Sequence, residues 1–511
     1  MTGSATFPAG EAAALHPARR AGGRFAKREV SLHVATAAVV ALSLLLGSPT
    51  LTLVLGGTLC SFVYPYLAFR EARRAPLWLS PLSFYFIWYA VSLGPAAFYM
   101  GTFVAEGEWV PLSVTLVSPR DVAVAYVIFL WGSVALHTGL QMTRPPSRPG
   151  DGDAPAARGR RRGLLAWLVV LWFAGLLTTW SPDLITAFGA PGRILQWSGF
   201  ASLSAVALVS RRQLGLSRLA YVGIFTVGTL GLFGVNLMSY SKAYLMFSLV
   251  PVIWAFLVRP KLRRWLPALG GSFVALYLFV LSPVITLARY SELAPGESAA
   301  ERVVDTFEVF VRSGGVAVEG LSVGDYAEAL MYRQYDPLPL GFFLEQVRNS
   351  GFEDGSTMSY AAYALVPRVL WPGKPTITKG AWFAYYIGFA ESEESATMAL
   401  GISATGELYW NFGVPGVLIG LLLIGLLLGT LWRIAGADPR HDPIRMLLYV
   451  MVMFNMGNMA EAVTVFTFIV AAFFVFEGAL SARGLLRYST RRAHGSFAAR
   501  RSHPEVLPHH G

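Results

Sequence analysis

Residues 412–432 read FGVPGVLIGLLLIGLLLGTLW, a run of 21 residues without a charge. A helix needs about 20 mostly apolar residues to cross the hydrocarbon core of a bilayer, so this run has the length and composition of one crossing. The rest of the chain repeats the theme. Of its 511 residues, 54% are hydrophobic and 14% charged, and the mean hydropathy is +0.51. A soluble domain carries roughly a quarter charged residues. The composition excludes an ordinary soluble enzyme, a disordered scaffold and a nucleic-acid binder, and it points to an all-α polytopic membrane protein.

Working outward from 412–432, eleven more windows have the same character, near 30–48, 50–69, 77–100, 121–141, 164–181, 195–210, 219–238, 243–258, 266–288, 445–460 and 462–482. The twelve predict spans one to nine over 30–288 and spans ten to twelve over 412–482. The Ser-rich window at 195–210 has the weakest signal. Charge sets the expected orientation. With the N-terminus inside, 30 of the 41 Lys and Arg residues fall in cytoplasmic segments, as expected of cations that resist translocation. Both tails, 1–29 and 483–511, are then cytoplasmic, and their polar, basic composition predicts disorder. The formal charge of +11 is thus a matter of topology. The single cysteine, Cys60, allows neither a disulfide framework nor a Cys-based metal site. The basic start followed by span one, without a small-residue cleavage site, reads as a retained anchor.

One connection differs from the others. Residues 289–411, between spans nine and ten, form a single large extracytoplasmic loop, and a loop of that length is expected to be ordered and functional. The segment 299–312 (AAERVVDTFEVFVR) has apolar residues at helical spacing, and further helical stretches fit 325–335, 340–349 and 357–366, the last stopped by Pro367. Charge concentrates in this loop. Apart from Asp121 and Arg445 at their first positions, the predicted spans hold only His33, His137 and, near one end, Glu477, with Glu461 between the last two. Polar chemistry placed at the membrane surface and not at its middle predicts a reaction there.

Within that loop, Val366-Pro367-Arg368-Val369-Leu370-Trp371-Pro372-Gly373-Lys374-Pro375 and Gly406-Glu407-Leu408-Tyr409-Trp410-Asn411-Phe412-Gly413 resemble segments of the oligosaccharide repeat-unit polymerases, the Wzy-type O-antigen and exopolysaccharide polymerases. Ser239-Tyr240-Ser241-Lys242-Ala243 is similar to the Ser-Arg/Lys turn at the outer face of polymerases and O-antigen ligases. The resemblance covers mainly 236–260 and 357–432. It implies a GT-C-like fold and an inverting glycosyl transfer. The donor would be an oligosaccharide on undecaprenyl diphosphate, the acceptor a second lipid-linked unit, and no cofactor or metal would be required. A flippase and a chain-length regulator would be partners.

Such chemistry needs fixed cations for the leaving diphosphate, best supplied by Arg, and a carboxylate to take the acceptor's proton. Arg368, stiffened by flanking prolines, is the first candidate cation, with a salt bridge or interfacial anchor as its alternative. Lys242, Arg289, Arg312, Lys374 and Lys379 are further candidates for the diphosphate, although Arg312 has Glu308 one turn earlier as an ordinary helical partner. Glu407 is the candidate base. Its alternative is a favourable interaction with a helix N-terminus. Tyr409, Asn411 and Trp371 are candidates for the sugar, and Asn411 also for the cap of span ten. Glu461 with Asn455 and Asn458 is a polar cluster near the membrane, and Glu106 with Glu108 is similar to acidic motifs of other GT-C enzymes. Two departures stand out: the predicted outer loop lacks histidine, unlike the ligases, and neither Arg312 nor Arg368 has a glycine after ten intervening residues. An O-antigen ligase-like transferase and a lipid-linked oligosaccharide flippase are the alternatives. The absence of internal sequence repeats weighs against the flippase.

Overall fold

The computed structural model describes residues 16–103, 117–145, 161–239, 242–281, 284–285, 299–312, 331–332, 334–374, 379–386, 391–392, 401–440, 442–457, 462–478 and 481. The predicted stretch 325–335, apart from its last few residues, and the candidates Glu106, Glu108, Arg289, Asn458 and Glu461 lie outside them, as do most of the two tails.

Every described element is helical: α1 (His16–Leu45), α2 (Pro49–Ala72), α3 (Pro81–Leu93), α4 (Pro95–Phe103), α5 (Pro119–Thr143), α6 (Arg161–Trp180), α7 (Pro182–Phe188), α8 (Ala190–Leu208), α9 (Arg218–Met238), α10 (Lys242–Phe247), α11 (Val250–Leu257), α12 (Leu266–Leu276), α13 (Ala299–Arg312), α14 (Leu338–Ser350), α15 (Lys379–Tyr386), α16 (Ala404–Ala435), α17 (Pro443–Gly457) and α18 (Ala462–Gly478). Each of the twelve apolar windows carries helix. Among the described residues, seven helices are long and apolar enough to cross a membrane: Lys27–Leu45, Pro49–Ala72, Pro81–Thr102, Pro119–Thr143, Gly163–Trp180, Arg218–Met238 and Ala404–Ala435. Tyr244–Leu257, Pro443–Met456 and Ala462–Gly478 are apolar but shorter.

A local rule starts many of these helices. Ser48-Pro49, Ser80-Pro81 and Ser118-Pro119 place a serine at the cap and a proline at the first helical position. Proline lacks the N–H that would go unsatisfied there, while the serine oxygens accept from Leu51, Ser83 and Asp121. The Ser-rich α8 has weak hydropathy for a different reason. It packs against α6, α11 and α17 inside the bundle, and its Ser198 and Ser202 hydroxyls donate to backbone carbonyls, Ser202 to that of Ser198 at 2.7 Å. An interior helix needs no lipid-facing apolar stripe.

The most extensive contact between two helices joins α5 and α16. They run parallel, Gly132 meeting Val417 and Leu421 and Gly139 meeting Leu422 and Gly425. A methyl group on Gly425 would lie 2.3 Å from the carbonyl oxygen of Leu136, and one on Gly139 would lie 2.4 Å from that of Leu422. Small residues let membrane helices bring their backbones together in this way. The pair therefore sets two ends of the bundle. At the first, α5 and α16 begin. At the second they finish, near Arg144 and Arg433. Because the contact is with backbone, it cannot yield to a side-chain rotation. Gly425→Val should destabilise the protein by about 1–3 kcal/mol or more, measured as a lower midpoint of thermal unfolding in detergent. An unchanged midpoint would show that the helices do not approach this closely.

Candidate functional site

The site is built where α16 begins. Ser403 caps the helix by accepting from the Gly406 N–H at 3.4 Å, eight residues ahead of the expected cap at Asn411. Asn411 is not a cap; it lies inside the helix, and Glu407 lies in the first turn and not ahead of it. The apolar run starts at Phe412, but the more polar turns before it are helical because the loop covers them. The helix then breaks. Gly413 takes φ 64°, ψ −159°, a conformation open to glycine, and Pro415 has no N–H to offer the preceding turn. The carbonyl of Trp410, whose helical partner is displaced by the break, instead accepts the Glu353 N–H at 3.1 Å.

The turn that begins at Glu353 folds back over Glu407 and Asn411. Asn411 donates from Nδ2 to Thr357 Oγ1 at 2.7 Å and to the Glu407 carbonyl at 2.8 Å, and its Oδ1 accepts the Gly355 N–H at 2.9 Å. Glu407 is 0% exposed. Its Oε2 accepts the Val463 N–H at 2.9 Å, and its Oε1 accepts from Thr357 Oγ1 at a longer 3.4 Å. The carboxylate thus meets a backbone N–H in the first described turn of α18, outside its own helix. Below it, Trp410 packs among Trp382, Phe383, Tyr386 and Phe343, with ring centroids 4.5–5.3 Å from its own.

The remaining candidates fall into separate groups. Arg368, Trp371 and Lys374 share the turn after Pro367. Lys374 is 6% exposed, and its ammonium donates to the Ala364 and Val366 carbonyls at 2.9 and 3.0 Å, 5.6 Å from the centre of the Tyr360 ring. Two of its three donors thus hold this turn together. Burial, and after it the neighbouring Arg368 guanidinium, lower the Lys374 ammonium from the ordinary lysine range. Arg368 is half-buried, and Trp371 lies edge-on to Tyr363. Tyr409 faces Phe352. Arg312 pairs with Glu308, as its spacing predicted, on the exposed helix α13. Lys242 and Lys379 open α10 and α15. The expected single helix over 357–366 is two separate turns, Ser356–Met358 and Ala361–Ala364. That division lets Thr357 face Glu407.

Several polar residues were not singled out by sequence. Asp121, in the first turn of α5, pairs with Arg348 of α14, a contact that docks the loop onto the bundle. Asp336, just before α14, accepts from Trp88 Nε1 at 3.3 Å, and burial pushes its carboxyl up to about 6. At the far end, Arg144 pairs with Glu71 at 2.9 Å and Arg74 with Glu29. Between the ends, the Gln141 amide donates to His137 Nε2 at 3.2 Å. His137 Nδ1 then donates to His33 Nδ1 at 3.2 Å, leaving His33 Nε2 to face Tyr64 and Ser133 at 2.7 and 3.0 Å. Both histidines are fully buried. Among the described residues no group of three or more His, Cys, Asp or Glu could hold a metal ion. No protein-family model, no curated protein and no solved structure matches the chain.

The Asp336 environment sets an expected pH dependence. Its folded pKa lies above the ordinary aspartate value of 3.8. Between the two values the folded state holds a proton that the unfolded state releases, so this carboxyl makes stability fall as pH rises through that window. Asp336→Asn should flatten this component of the unfolding midpoint between roughly pH 4 and 6. An identical slope in the two proteins would place the carboxyl in water.

Proposed function

We propose that the chain is a membrane glycosyltransferase that polymerises undecaprenyl-diphosphate-linked oligosaccharide repeat units into a surface polysaccharide, an O-antigen, capsule or exopolysaccharide. In this reading it is a GT-C-like protein of about twelve spans in a bacterial plasma membrane, with both termini and the arginine-rich end of the bundle cytoplasmic. The 289–411 segment faces the periplasm. The observation that carries the reading is the Glu407 carboxylate, held on the broken start of a membrane helix beneath the loop turn bearing Thr357.

The proposed reaction is a single displacement. A hydroxyl of one lipid-linked unit attacks the anomeric carbon of the other, and its proton passes to the Glu407 carboxylate. The bond from that carbon to the diphosphate oxygen breaks with inversion, and its electron pair leaves on undecaprenyl diphosphate. Arg368 faces the departing diphosphate, and Lys242, Arg289, Arg312 and Lys379 draw the anionic donor toward it. Lys374 serves by holding the turn that carries Arg368. Tyr409, Asn411 and Trp371 border the sugars. Glu407 is covered while the Gly355–Thr357 turn is closed, with the Thr357 hydroxyl 3.4 Å from the carboxylate. The acceptor enters when that turn lifts.

In proteoliposomes given purified lipid-linked repeat units, a glycan ladder should form without nucleotide sugar or added divalent metal. Glu407→Gln should slow it about 10²–10⁴-fold and Arg368→Ala about 10²–10³-fold, with both variants still folded. No ladder from competent donor would remove the proposed activity. A ladder indifferent to both substitutions would remove only the site assignment.

A further inference from the structure

Helix α13 presents an unusual surface. Val304, Phe307 and Val311 recur at three and four residues and share one face, and all three are exposed, Val304 by 63% and Val311 by 58%. The adjacent face carries Glu301, Asp305, Glu308 and Arg312, also exposed, while Thr306 on a third side is buried. The helix therefore has a buried side, a charged side that also carries the exposed Val309, and an open apolar side. It packs against α9. The spans Arg218–Met238 and Gly163–Trp180 are the two least buried of the seven, with Val222, Val227, Leu230, Val170, Phe173 and Leu177 exposed along them. They lie together, Trp172 Nε1 donating to the Gly228 carbonyl at 3.2 Å.

A second exposed apolar feature belongs to the same side. Val369, Leu370 and Trp371 form a tip between Pro367 and Pro372, with Leu370 75% exposed. The Val369 N–H donates to the carbonyl of Ala187 at 3.3 Å, in α7, which directly follows α6. Both features thus adjoin spans that carry exposed apolar side chains along their length. We infer that α13 lies along the bilayer surface with Val304, Phe307 and Val311 among the acyl chains, and that Val369 and Leu370 of the neighbouring tip insert near it. The charged face of α13 then meets water, the arrangement of an amphipathic helix in a membrane interface. The partner is the lipid bilayer itself, and the inference is independent of the proposed chemistry.

Spin labels read this directly on the full chain. In C60S protein, single cysteines at Val304, Val311 and Leu370 and at the controls Asp305 and Glu308 are labelled, all at exposed positions that leave the core intact. The protein is reconstituted in phosphatidylethanolamine–phosphatidylglycerol vesicles. Collision with dissolved oxygen, which concentrates in acyl chains, is compared with collision with a water-soluble nickel chelate. The oxygen-to-nickel ratio should be several-fold higher at the three apolar positions than at the two acidic ones. Equal ratios would put the apolar face in water and overturn the inference. Labels at 304, 311 and 370 reached by neither reagent would mean that protein covers the face, which overturns it equally.

Discussion

A helix that breaks leaves carbonyl and amide groups that its own turns cannot satisfy, and the break in α16 at Gly413 and Pro415 is the constraint around which this loop is organised. Its solution comes from the chain some 55 residues earlier, where Glu353 answers the Trp410 carbonyl and Gly355 and Thr357 answer Asn411. The same contacts bring Thr357 to Glu407. The geometry of the candidate site thus follows from satisfying a broken helix and needs no separate scaffold. The aromatic packing around Trp410 closes the apolar side of the arrangement.

The two ends of the bundle use charge differently. Where α5 and α16 finish, arginines are matched by buried acids, Arg144 with Glu71 and Arg74 with Glu29. A buried charge without such a partner is costly to keep, so these pairs fix how α1, α2 and α5 meet. At the other end, Arg348 reaches across to Asp121 to dock the loop. Glu407 accepts from the Val463 N–H of α18 and from the Thr357 hydroxyl of the loop turn, so it joins two segments at the start of α16.

Much of the helical framework was legible in the sequence, because a run such as 412–432 can satisfy its backbone in lipid only as a helix. The amphipathic spacing of 299–312 was equally readable, and so was the Glu308–Arg312 pair. Hydropathy failed at the helix ends. It started span ten at Phe412, although the helix begins at Ala404, because Thr405, Glu407 and Asn411 are polar and yet buried by a loop that lies far away in sequence. For the same reason the expectation of spans nearly free of ionisable groups missed Glu71 and gave no role to Asp121, which sit in the end turns of α2 and α5. Lys374 read as a cation for substrate, and only its two carbonyl partners identify it as a clamp. Contacts such as Asp121–Arg348, 227 residues apart, leave no local pattern to read.

The account rests on the loop turn being energetically joined to the broken start of α16. A double-mutant cycle of Asn411→Ala and Thr357→Ala on unfolding free energy in detergent measures that junction most directly. The account predicts that the two substitutions are non-additive, with a coupling of about 0.5–3 kcal/mol. Additive effects within about 0.3 kcal/mol would mean that the turn and the helix are not coupled, and the site as described would not exist.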